Sequence, residues 1–214
     1  MHEPVVAQAR TEVPAAAKPP VKKAKRVTDR PGNINGKVLI LEYHHVLEEE
    51  TRWGRSRENF RKDLERLYKA GFRPVTLIEY LENRMKLPPG ASPVVFTFDD
   101  GHLNQFHILP DGTVDPNCMV GIWRKFAATR PDFPMKATFF VLPPVPFTKK
   151  DTAKKKVELL RRWGSELGIH TVTHRSLAKL SDEEVKKEIA DSILWLRKWG
   201  VEAKTMAMPY GEYP

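Results

Sequence analysis

Five strand-forming residues run straight into two adjacent carboxylates and a glycine at Val94-Val95-Phe96-Thr97-Phe98-Asp99-Asp100-Gly101, and few folds have a use for that ending. Carboxylates side by side repel one another, so either a cation sits with them or one of the two keeps its proton. Both outcomes describe an active site better than a scaffold. The plain alternative is an Asp-Gly surface turn closing a β-hairpin, and it weakens as partners appear downstream.

The first partners are His170 and His174 in Gly168-Ile169-His170-Thr171-Val172-Thr173-His174. Two imidazoles and one carboxylate make an open site for a divalent transition metal, zinc above all in a hydrolase. On a helix, His-x-x-x-His would point to a zinc protease, whose second motif residue is a catalytic Glu. Here Thr171 holds that place, and Thr171, Val172 and Thr173 are β-branched and favour extended backbone. Fully extended, the two Cα atoms would lie about 13 Å apart, too far for joint ligation. The chain must therefore bend, with His170 at a strand end and His174 in the turn after it.

A third segment, Met206-Ala207-Met208-Pro209-Tyr210-Gly211, also runs from apolar residues into a turn. Proline fixes its own backbone and frees the next amide to face a developing oxyanion. In this order, Thr97-Phe98-Asp99-Asp100-Gly101, His170-Thr171-Val172-Thr173-His174 and Met208-Pro209-Tyr210-Gly211 resemble the polysaccharide deacetylases, the NodB-homology group or carbohydrate esterase family four. By motif position the resemblance implies Asp99 as general base, Asp100, His170 and His174 as metal ligands, and the Tyr210 amide at the oxyanion. It also implies an irregular (β/α)7 barrel, an N-acetylated polysaccharide substrate and an extracellular or cell-envelope location. Two departures matter. The family commonly has arginine two residues before the proline, where this chain has Ala207, a feature shared with poly-N-acetylglucosamine deacetylases. The later Trp-containing and Leu-x-His segments do not occur before Pro214, so the domain is expected to be a truncated barrel.

Strands and helices alternate along residues 36–214, which implies a parallel α/β fold. Lys37–His44 reads as a fully buried parallel strand, and 94–98 and 137–142 as two more. Ser56 caps a helix ending at Gly71. Thr76 with Glu79 and Ser181 with Glu184 form capping boxes. Helices are expected at 118–130 and 150–163, and Val185, Ile189, Ile193 and Leu196 form the core stripe of the last. In such folds ligands gather at the carboxyl ends of strands, where all three motifs fall. His44 and His45 end the first strand and one of them lines the pocket, His102 follows the Asp-Asp-Gly turn, Pro209 shapes the oxyanion turn, and Trp53 offers a sugar platform. His44, His102, Trp53 and Pro209 are thus the expected substrate contacts. Lys149, Lys150, Lys154, Lys155 and Lys156 read as a solvated helix face.

Residues 1–35 are expected to be a separate, disordered tether, basic and proline-rich, with seven basic and three acidic residues contributing much of the net charge of +9. With the basicity off the fold, nucleic acid is not an expected partner. No apolar run reaches the roughly 20 residues of a membrane span, and no signal-peptide apolar region is visible. The single Cys118 allows no internal disulfide. The expected activity is hydrolysis of N-acetyl groups on an amino-sugar polymer with one divalent ion. Two rivals are a non-catalytic wall- or matrix-binding protein and a mononuclear iron oxygenase; the second would need an all-β jelly roll and has no role for a second aspartate.

Overall fold

The computed structural model describes residues 30–214. Most of the expected tether lies outside the described residues. Its end, residues 30–35, has no helix or strand and runs along the loop at 90–91, where Gly90 N–H donates to Arg30 O (2.6 Å) and Asn33 N–H to Ala91 O (2.8 Å).

The strands are β1 Leu39–Tyr43, β2 His45–Leu47, β3 Gly54–Ser56, β4 Phe72–Val75, β5 Ser92–Phe98, β6 Thr138–Val141 and β7 Glu166–Ile169. The α-helices are α1 Arg57–Lys69, α2 Leu77–Leu81, α3 Met119–Ala127, α4 Lys150–Arg162 and α5 Asp182–Lys198. A five-stranded, wholly parallel sheet forms the centre. One edge of β5 carries β1; the other is shared by β4, opposite residues 92–95, and β6, opposite 97–98. β7 follows β6, and Met206 bridges to Ile169 beyond it. This is the parallel α/β order that the alternation implied. Among the described residues the sheet stays open between β1 and the Met206 segment.

The central strand explains most of the core. β5 is buried at every position after Ser92, and its Phe96 and Phe98 meet Trp123 of α3, Phe60 of α1 and Phe139 of β6. Each such side chain contributes about 1.5–3 kcal/mol on burial. The caps at Ser56, Thr76 and Ser181 accept from the third residue of their helices, and the latter two complete capping boxes.

Two expectations change, and three strands are added to them. β1 is not fully buried: as an edge strand it packs Leu39, Leu41 and Tyr43 on the core and leaves Ile40 49% exposed. Lys156 is not on a solvated face. It shares the buried side of α4 with Ala153, Val157 and Leu160, is fully buried, and donates to Phe147 O at 3.0 Å. Three strands were not expected: β2 and β3 have three residues each, and in β4 Arg73 and Pro74 break the apolar run.

Candidate active site

Because β1, β5 and β7 are parallel, their carboxyl ends share one end of the sheet. Each is followed by a chemically active residue: His44, the pair Asp99 and Asp100, and His170. With His45, Trp53, His174 and the turn at 207–211 they surround a cavity of about 690 Å³.

The Asp-Asp-Gly turn is tight. Asp100 and Gly101 are both left-handed, at φ 71° and 68°, a conformation Asp tolerates and Gly adopts without cost. A Cβ on Gly101 would lie 3.1 Å from Val141 Cγ1, so the turn packs directly on β6. It presents Asp100 Oδ1 3.4 Å from His170 Nε2 and 3.2 Å from His174 Nε2. These three donor atoms lie within 4.8 Å of one another. The other oxygen, Oδ2, is 2.9 Å from His102 Nε2. Burial alone would raise the Asp100 pKa, but hydrogen bonds from His102 and His170 hold it far below the ordinary carboxylate range.

His170 is buried at the end of β7 and its Nδ1 lies 2.9 Å from Ala207 O. A carbonyl only accepts, so Nδ1 carries a proton, and Nε2, the nitrogen turned to Asp100 Oδ1, is the one a metal would take in place of a proton. Burial opposes protonation of His170, but the contacts to Asp100 and Ala207 prevail and raise its pKa; that of His174 is lowered by burial and by His170. The chain does bend between them, although not as β-branching alone implied. Thr171 is left-handed at φ 65° and His174 at φ 56°, a strained conformation for threonine. The loop is kept there by Thr171 Oγ1, which accepts from His174 N–H at 3.2 Å, and by Glu188 of α5. Glu188 is buried; its Oε2 accepts from Val172 N–H (2.7 Å) and Thr173 N–H (2.9 Å), and its Oε1 from the Thr173 hydroxyl (2.6 Å).

Asp99 stands differently. It is 8% exposed, and its Oδ1 has no hydrogen-bond partner among the described residues. Burial pushes its pKa up to about 6, against a smaller lowering by His170. Its backbone is fixed by Gln105, whose buried amide donates to both Asp99 O (2.5 Å) and His44 O (2.7 Å) and so ties the ends of β5 and β1 together.

Of the other expected residues, His44 and Trp53 line the cavity with ring centroids 5.2 Å apart, and Trp53 is 58% exposed. His45 lines it too, so both histidines after β1 face the cavity. His102 sits behind Asp100, stacked on His45 at 3.9 Å. Pro209 is buried beneath the last turn, where Tyr210 (φ 60°) is 69% exposed with its ring 4.9 Å from His174. The Tyr210 amide has no hydrogen-bond acceptor among the described residues. Glu188, Gln105 and Glu42, another cavity residue, were missed from sequence. Glu188 alone carried a signal: it occupies the buried face of α5 with Val185, Ser192 and Leu196, where a carboxylate needs a reason.

The profile of the family described as polysaccharide deacetylase matches residues 86–214. No curated protein matches the chain significantly. Among solved structures, the Streptococcus pyogenes deacetylase PplD in complex with acetate is similar with a TM-score of 0.65 and 22% identity, over 84% of this chain and 76% of that one. The putative polysaccharide deacetylase BA0330 from Bacillus anthracis gives 0.64 and 21%, over 84% of this chain and 52% of its own, so this chain spans about half its length. IcaB from Ammonifex degensii gives 0.55 and 22%, over 83% and 76%. At these identities the likeness is one of fold, and that fold is not the all-β jelly roll of the oxygenase alternative.

Proposed function

The chain belongs to the polysaccharide deacetylase family, and from that premise we propose that it uses one divalent metal ion, zinc by its donor set, to hydrolyse N-acetyl groups on a polymer of β-linked amino sugars. The observation that carries this reading is the convergence of Asp100 Oδ1, His170 Nε2 and His174 Nε2 beside an unpartnered Asp99 oxygen. One carboxylate and two imidazoles, one of them oriented through its Nδ1 by the Ala207 carbonyl, suit zinc. Bound by these three residues, the ion supplies Lewis acidity toward the acetamide carbonyl.

The remaining work falls to the chain's own side chains. Asp99 takes a proton from the attacking water, and a basicity raised to about 6 brings it closer to the range where a general base is effective near neutrality. The Tyr210 amide, without an acceptor among the described residues, would donate to the oxyanion as the carbonyl becomes tetrahedral. Trp53 offers a stacking face for a sugar ring. His44, another cavity residue, would return a proton to the departing amine. The polymer class places the activity at the cell envelope or in an extracellular matrix. No described helix is long and apolar enough to cross a membrane.

The test is incubation of the protein, loaded with one equivalent of zinc, with N-acetylglucosamine oligomers of β-1,4 and β-1,6 linkage. Acetate and free amine should appear in equal amounts from at least one of them, stop on chelation and resume on adding zinc. Binding of both oligomers without acetate release would overturn the reading in favour of a carbohydrate-binding protein.

A further inference from the structure

The cavity holds a second set of donor atoms that the deacetylation chemistry does not need as a set. Glu42, His44 and Asp99 each offer one, all within 4.8 Å of one another, and none belongs to the Asp100, His170, His174 triad. Glu42 and His44 stand two residues apart at the end of β1. Glu42 Oε1 lies 3.4 Å from His44 Nδ1. Glu42 is also in register with Thr97, two residues before Asp99. The independent sign of a ligand is Asp99 Oδ1, on a side chain more than nine-tenths buried, lining the cavity without a hydrogen-bond partner. A buried carboxylate oxygen without a donor is costly, and on a residue that shares a cluster with a second carboxylate and an imidazole it makes a place for a cation.

We propose that Glu42, His44 and Asp99 form a second, inhibitory divalent-cation site. Metal beyond one equivalent stops turnover there by occupying the groups that exchange protons. The inference rests on reading Asp100, His170 and His174 as the working metal centre. Two carboxylates and one imidazole accept zinc, cobalt or manganese. The Glu42 side chain is 60% exposed, so water competes for the site. An ion at the neighbouring triad also repels a second one. The second site therefore fills after the first and more weakly. Once filled, the Asp99 lone pair that accepts the water proton is engaged, and the fold is untouched.

The experiment is a titration of untagged protein with zinc alone, by calorimetry and elemental analysis, beside acetate release at the same zinc concentrations. Wild type should bind two ions, with activity maximal at one equivalent and falling as the second binds. Glu42→Gln should bind one ion, keep the activity seen at one equivalent, and need at least ten times more zinc for the same inhibition. His170→Ala should lose the tighter ion, keep the weaker one and be inactive. A wild type that saturates at one ion, or a Glu42→Gln variant inhibited as wild type is, would overturn the second site and leave the first reading intact. A His170→Ala variant that still binds the tighter ion would overturn the triad itself.

Discussion

The loop from His170 to His174 and the turn at Asp99 face each other across one cavity, yet they are held in opposite ways. The loop is fastened by Glu188 to two amides and a hydroxyl, by Thr171 to the His174 amide, and by Ala207 to the His170 ring. Asp99 has its backbone fixed by Gln105, but a side-chain oxygen is left unpartnered and its pKa is pushed up to about 6. Ligands that must converge on one ion gain from rigid orientation. A group that must take up and release a proton gains from an environment in which neither state is overwhelmingly favoured. The two halves of the site thus divide into a preorganised holder and a poised base.

Removing a holder should have the largest effect. His174→Ala takes away one of three ligands, and acetate release should fall by about 10³-fold or more, the several kcal/mol that a metal contributes to such a transition state. Zinc content measured on the same sample should fall with it. Loosening the holder is milder. Glu188→Ala leaves all three ligands in place but frees the strained loop, so zinc affinity should drop by roughly 10–100-fold. Glu188→Gln should recover part of that loss, because one amide oxygen can still accept. Equal zinc affinity in wild type and Glu188→Ala would show that the loop keeps its shape unaided.

Outside both halves the effects shrink. Trp53→Ala removes a stacking face worth about 0.5–1.5 kcal/mol, so KM for an oligosaccharide should rise by roughly 2–12-fold with kcat nearly unchanged. Lys156, under the loop that packs on Gly101, is a control for stability rather than chemistry. Burial brings its pKa from 10.5 down to about 8. Between those values the unfolded chain holds the proton and the folded chain releases it, so stability should rise with pH through that window. The slope is at most about 1.4 kcal/mol per pH unit. Denaturation midpoints of wild type and Lys156→Met, compared from pH 7.5 to 10, should differ in that slope.

The triad was legible in the sequence because metal chemistry restricts residue types and because all its members follow strand ends. Helix starts were legible for a similar reason: Ser56, Thr76 and Ser181 act on residues three positions away. What supports the site was not. Glu188 reaches a loop 15 and 16 residues earlier through α5, and Gln105 joins two carbonyls that meet only once β1 and β5 pair. Lys156 was misread from its lysine-rich surroundings, although its spacing from Ala153 and Leu160 places it on the buried side of α4. The bend between His170 and His174 was expected from the need for joint ligation, but the left-handed Thr171 that makes it was not, because β-branching argues for extended backbone and the bonds that hold the loop come from elsewhere in the chain.

The division of labour between neighbouring carboxylates is tested most directly by measuring zinc content and acetate release on Asp99→Asn and Asp100→Asn side by side. The account predicts that Asp99→Asn keeps one tightly bound zinc while kcat falls by about 10²–10⁴-fold, and that Asp100→Asn loses both zinc and turnover. Loss of the tight zinc from Asp99→Asn, or near-normal turnover by it, would contradict the account.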